Sequence, residues 1–172
     1  MVLVSFSALA PTAQASCKDA STGGLALSVT DCKPIKKARI VNGKAIAPDT
    51  APAAIKRVIA AANQIRLKPY VYGGGHGLSR RLDRGYDCSG SVSFALRAGG
   101  FVKTPMPSGS FINWKQPGAG KWISTYANGG HMYMVVAGLS FDTSNMSSNG
   151  GNRWSTTIRS SAGFSVRHPG AF

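Results

Sequence analysis

The chain has 172 residues, room for one domain with a short appendage, and 43% of them are hydrophobic, enough for a packed core. It carries 20 Lys+Arg against 6 Asp+Glu, a formal charge of +14. All six acids are aspartates (Asp19, Asp31, Asp49, Asp83, Asp87 and Asp142), which argues against a two-carboxylate glycosidase and against an all-oxygen calcium or magnesium cage. So positive a field favours a polyanionic partner, whether nucleic acid, anionic lipid or acidic cell-wall polymer.

Residues 1–15 read as an export signal. An apolar run from Val2 to Ala10 precedes Ala13-Gln14-Ala15, a small-x-small pattern of the kind signal peptidase cuts. The run is shorter than the ~20 apolar residues that span a bilayer, and no other stretch is a transmembrane candidate. The positively charged stretch that usually leads such a signal is missing, as expected if the natural start lies further upstream. Residues 16–48 are small, polar and basic, with Lys33, Lys36, Lys37, Arg39 and Lys44 clustered, and read as a weakly ordered basic arm. Cys17 and Cys32 lie within it. Outside the cell they are expected to close a small loop worth ~3 kcal/mol, the alternative being two unpaired thiols.

The folded domain is predicted over 49–172. Asp49 or Thr50 can cap a first helix, Pro52 suits its first turn, and Ile55, Val58, Ile59, Ala62 and Ile65 keep a 3.6-residue spacing. Tyr70-Val71-Tyr72 then enters the glycine loop Gly73-Gly74-Gly75-His76-Gly77, followed by Arg80, Arg81 and Arg84. Asp87 can N-cap a second helix with Val92, Ala95, Leu96 and Ala98 on its apolar face and Gly99-Gly100 at its end. Beyond it, residues 122–126, 131–137, 139–143, 156–159 and 164–167 read as short strands. Helices followed by antiparallel strands give an α+β domain.

The chemistry concentrates at Cys88. A cysteine in the first turn of a capped helix meets unsatisfied N–H groups and the helix dipole, which stabilise a thiolate. Gly90 lets another segment approach closely. The plainer alternative is a buried structural cysteine. A thiolate nucleophile needs a base, and there are three histidines. His168 reads as a solvated tail residue. His76 sits in the glycine loop without a regular element to hold it, while His131 opens the apolar run Met132–Val136 and stands at the mouth of a strand. Asp142 is the one carboxylate after His131; a hairpin at Ala137-Gly138 would return it beside the histidine as orienter. Asn145 and Asn149 are neutral alternatives. No tetrahedral metal-ligand set is visible, so neither metal nor cofactor is expected.

Three pieces, in order, resemble the NlpC-type cell-wall peptidases, papain-like cysteine enzymes that cut peptidoglycan stem peptides: Pro69–Gly74, Gly85-Tyr86-Asp87-Cys88-Ser89-Gly90, and Gly129-Gly130-His131. The resemblance covers about residues 52–145, and Asp87-Cys88-Ser89-Gly90 opening a helix is its most specific part. It implies a papain-like domain with Cys88 as nucleophile, His131 as base and Asp142 as orienter. It further implies that the Tyr70 hydroxyl shapes the oxyanion site and that Asp87 and Ser89 contact substrate, with His76 a candidate beside them. The Gly73–Gly85 loop is longer than the family's, and Gly120-Lys121-Trp122-Ile123 replaces its usual Gly-Asp-hydrophobic run.

The expectation is therefore a monomeric, secreted or wall-associated endopeptidase acting on the D-glutamyl–diaminopimelyl bond of peptidoglycan, its charge drawing it to that and other anionic wall polymers. A related amidase or acyltransferase would use the same dyad, and an inactive basic wall-binding module would use only the charge. A nucleic-acid binder is disfavoured, because no aromatics interleave with the basic arm.

Overall fold

The structure is a computed structural model and describes residues 37–79 and 81–172. The 3.6-residue spacing of Ile55, Val58, Ile59, Ala62 and Ile65 becomes helix α1 (Ala53–Ile65), with all five side chains buried. Its N-cap is Pro52 with no side-chain hydrogen bond, so neither Asp49 nor Thr50 caps it. Asp49 instead accepts from Lys56 Nζ through its main-chain oxygen. Helix α2 (Cys88–Gly99) is capped as its sequence predicts. The Asp87 carboxylate accepts from Gly90 N at 2.6 Å, and Gly100, at φ 82°, ends the helix in the left-handed conformation. α1 packs along α2, and α2 packs on the sheet.

The folded part starts earlier than the sequence suggests. Within the segment read as a weakly ordered arm, β1 (Arg39–Val41) and β2 (Lys44–Ile46) form an antiparallel hairpin around Asn42-Gly43. Both turn residues have positive φ (49° and 72°), the backbone that a two-residue Asn-Gly loop supplies. Buried Ala45 exchanges two hydrogen bonds with the Asn63 side chain of α1 (2.9 and 2.8 Å), and Ala38 N donates to Ala137 O at 2.8 Å. Backbone groups satisfied this way tie the hairpin to the domain, so the arm boundary at 48 is corrected to lie before Ala38. Cys17, Cys32, their pairing and the signal segment lie outside the described residues.

After the short helix α3 (Ser108–Phe111) come β3 (Gln116–Pro117), β4 (Ile123–Ala127), β5 (Met132–Val136), β6 (Leu139–Phe141), β7 (Trp154–Ser155) and β8 (Ser165–His168). They make one antiparallel sheet in the order β3-β8-β4-β5-β6-β7. The architecture is α+β. β5 lies inside the sheet and does not alternate: Met132, Met134 and Val136 join the core, while Tyr133 is buried by Tyr126 stacked on it at 4.6 Å and by the edge of Phe164. The predicted strand at 156–159 is absent. Thr156, Thr157 and Ile158 are exposed with no strand partner, and β6 pairs with Trp154–Ser155 instead. His168 is part of β8 and half-buried rather than a solvated tail residue.

Candidate active site

Three local devices converge on Cys88. The first is the glycine loop. Tyr86 N donates to Pro69 O (3.0 Å), Val71 N to Tyr86 O (3.4 Å) and Asp87 N to Gly74 O (3.1 Å), so residues 69–75 run beside 85–90. The approach is too close for side chains: a Cβ on Gly90 would collide with Gly74 O and lie 3.0 Å from Gly75 Cα. The second is the Asp87 carboxylate, buried and bonded to the Gly73 N–H (3.0 Å), Gly90 N–H (2.6 Å), Ser89 Oγ (3.2 Å) and His76 Nε2 (3.1 Å). It locks the loop to the helix start. The third is the β4–β5 turn, where Asn128 Oδ1 accepts from Gly130 N and His131 N (3.0 and 2.9 Å) and Asn128 N donates to His131 O, which fixes His131 at the strand entrance.

Cys88 is 9% exposed, is a free cysteine, and lies close enough to His131 for the imidazole to act on its thiol. His131 Nε2 meets Asp142 Oδ1 at 2.8 Å, which leaves Nδ1 as the ring nitrogen free for the thiol. Asp142 is 2% exposed and stands just past β6, one strand over from β5, where it also caps a turn of 3-10 helix (Thr143–Ser147) by accepting from Ser144 N. Arg159 Nη1 donates to its other oxygen at 3.3 Å.

The ionisation of the three groups follows from these contacts. Burial by itself would raise the Cys88 thiol. The hydrogen bonds from His131 and from Met132 N–H, with the imidazolium charge, outweigh it and hold the thiol below its ordinary value, against opposition from Asp87. His131 is raised to about 9, first by its bond to Asp142 and then by its bond to Cys88, desolvation working the other way. Burial would likewise raise Asp142, yet the bonds from His131, Ser144 N–H and Arg159 keep it low. The arrangement favours a thiolate–imidazolium pair backed by a buried carboxylate.

The other sequence candidates lie in the glycine loop and at the start of α2. Tyr70 is 52% exposed, and its hydroxyl is raised by burial and then by the nearby Cys88 and Asp87 charges. Asp87, Ser89 and His76 form one hydrogen-bonded cluster, Ser89 Oγ lying 3.2 Å from His76 Nε2. Asp87 and Ser89 are buried, their side-chain oxygens hydrogen-bonded to neighbouring groups of the chain. The His76 ring bonds to Asp87 and Ser89, and the His131 ring to Asp142 and Ser144.

Ser144 and Arg159 were not visible in the sequence as part of the site. Ser144 Oγ lies 3.3 Å from both His131 Nε2 and Arg159 Nη1. The Arg159 guanidinium spreads over the Tyr133 and Phe164 rings, with centroids at 5.6 and 5.2 Å. Ser144 stands two residues after Asp142, inside the turn that Asp142 caps, which was a usable signal; Arg159 is 17 residues from Asp142 and carried none. Among the described residues no group of three or more His, Cys, Asp or Glu gathers to hold a metal ion, and no helix is long and apolar enough to cross a membrane. No protein-family model, curated protein or solved structure matches the chain.

Proposed function

We propose that the chain is a secreted cysteine endopeptidase with a papain-like catalytic domain, and that it hydrolyses peptidoglycan stem peptides at the D-glutamyl–diaminopimelyl bond. The observation that carries the reading is Cys88 at a capped helix start beside His131, whose Nε2 bonds to buried Asp142 at 2.8 Å. The cell-wall substrate rests on the resemblance of residues 69–74, 85–90 and 129–131 to the NlpC-type peptidases.

In this reading the Cys88 thiolate attacks the scissile carbonyl carbon. The oxyanion is met by the Cys88 N–H, which as a first-turn amide has no intrahelical acceptor, and by the Tyr70 hydroxyl. His131 gives its proton to the departing amine as the carbon–nitrogen bond breaks, leaving a thioester on Cys88. Neutral His131 then takes a proton from water, whose oxygen attacks the thioester. The thiolate leaves and the imidazolium is restored. Asp142 holds the ring angle and favours the imidazolium throughout.

Digestion of purified peptidoglycan, with fragments identified by mass, tests the reading. New ends at the D-glutamyl–diaminopimelyl bond are expected from the wild type and not from Cys88→Ala. Cleavage at the sugar–peptide amide instead would assign the dyad to an amidase. Intact peptidoglycan together with an inert Cys88 would leave a wall-binding module.

A further inference from the structure

Arg153 is fully buried and, among the described residues, bonds to no carboxylate. Its guanidinium is held by main-chain carbonyls alone: Nη1 donates to Ile65 O (2.8 Å) and Lys68 O (2.5 Å), Nη2 to Pro69 O (3.4 Å) and Tyr86 O (3.2 Å). Nε has no partner. Burial lowers the group to about 10, which leaves it a cation at neutral pH. An ion kept out of water without a counter-charge is a poor source of stability, since an apolar side chain of similar volume often does as well. What the fork of donors supplies is geometry.

The positions of its partners give that geometry a purpose. Ile65 ends α1, Lys68 and Pro69 lead into Tyr70, and Tyr86 lies two residues before Cys88. The main chain of Arg153 serves the other half of the site. Its carbonyl accepts from Asp142 N (3.0 Å) and from Asn145 Nδ2 (2.8 Å), and its N–H donates to Arg66 O (3.0 Å). One residue is thus bonded both to the segments that place Tyr70 and Cys88 and to the segment that places Asp142, the partner of His131.

We propose that Arg153 is a positioning residue that sets the separation of Cys88 from the His131–Asp142 pair. The proposal rests on the reading of Cys88 and His131 as a catalytic pair. A hydrogen-bonded ion pair tolerates little displacement: constellations of this kind work within about 0.5 Å, and a shift of about 1 Å can cost ~10²-fold in rate. A lysine has one point charge in place of the fork and can hold only part of the carbonyl set.

The test measures the rate of Cys88 alkylation by iodoacetamide against pH, together with kcat and KM on a soluble stem peptide. It compares the wild type with Arg153→Lys, Asn145→Ala and Trp154→Phe, at temperatures where each is folded. Asn145→Ala removes a bond to the Arg153 carbonyl and leaves the guanidinium in place. Trp154→Phe removes the bond from Trp154 Nε1 to Asn63 Oδ1 (3.0 Å) in the same buried segment, keeps an aromatic ring against Phe141, and leaves the Arg153 hydrogen bonds in place. Arg153→Lys is expected to move the alkylation profile to higher pH and to lower kcat ~10–100-fold with KM within a few-fold, the pattern of a lost transition-state geometry. Asn145→Ala should show the same changes to a smaller degree, and Trp154→Phe should lower Tm while leaving the profile in place. A wild-type profile in both Arg153→Lys and Asn145→Ala, whatever their Tm, would overturn the proposal alone. A wild-type thiol that titrates like free cysteine would overturn the catalytic reading and the proposal with it.

Discussion

A thiolate at Cys88 persists only while a neighbour keeps the proton, so the roles of three side chains can be told apart by how each loss is felt. Cys88→Ala should abolish hydrolysis with a nearly unchanged thermal transition, because the side chain is small and sits at the edge of the core; residual turnover in that variant would remove the nucleophile. His131→Ala loses general acid–base help, typically ~10²–10⁴-fold. Asp142→Ala should leave more activity, although it also removes the cap on the 3-10 turn, a loss of about 0.5–2 kcal/mol. Asp142→Asn should fall between Asp142→Ala and wild type. His76, bonded to Asp87 and Ser89, should act mainly on KM when changed to alanine, and a dead His76→Ala beside an active His131→Ala would reverse the assignment. The pH dependence follows from the same contacts. With the thiol lowered and His131 raised to about 9, kcat/KM should rise with thiol ionisation and fall as His131 loses its proton near pH 9. Asp142→Asn removes the largest raising influence on His131, so the alkaline limb should move to lower pH. Stability takes the sign of a raised histidine: its contribution is complete below its ordinary 6.5 and is lost as pH climbs through about 9.

Elements carry these side chains only if the glycine loop sits flat against the first turn of α2. Gly90→Ala would drive a Cβ into Gly74 O and Gly75, both backbone, where relief requires the loop to move. It should lower stability by about 1–3 kcal/mol or more and slow Cys88 alkylation. Gly77→Ala meets nothing within 4 Å and should stay within about 0.5 kcal/mol of wild type. Calorimetry on the pair checks this, and equal effects would refute the packing argument. The local signals here were legible in the sequence: α2 announces its cap at Asp87 and its stop at Gly99-Gly100, and α1 its buried stripe. What the sequence hid was long-range. The Asn42-Gly43 turn was a readable hairpin signal, but basic neighbours masked it, and its burial depends on Asn63 in α1. Thr156–Arg159 has strand-like composition and no strand to pair with, since β6 takes Trp154–Ser155, so composition alone misled. His131 with Asp142 was legible because a short hairpin returns one beside the other. Arg159 reaches the same carboxylate from 17 positions further along the chain, beyond the 3-10 turn and β7, which no local pattern encodes.

Across the whole molecule, the relocated boundary changes where the charge lies. Residues 1–36 hold three lysines and two aspartates, so they contribute only +1; the remaining 17 Lys+Arg and four Asp place +13 of the +14 in residues 37–172. Lys37, Arg39 and Lys44, which the sequence assigned to the arm, lie in or beside the β1–β2 hairpin and belong to the folded domain. Attraction to an anionic wall should therefore be a property of the domain. It acts over a Debye length of ~10 Å at 0.1 M salt and ~3 Å at 1 M, so wall binding should fall by on the order of tenfold or more between these limits. Removing residues 1–36 should change wall binding and its salt dependence little, because nearly all the charge remains. Removing residues 1–48 should lower Tm instead, since it strips Ala45 from Asn63 and Ala38 from Ala137. Co-sedimentation of the two truncated chains with purified walls at graded salt, beside their melting curves, separates these effects. If the shorter deletion alone abolished binding while the domain stayed folded, the arm would hold the wall by something other than net charge.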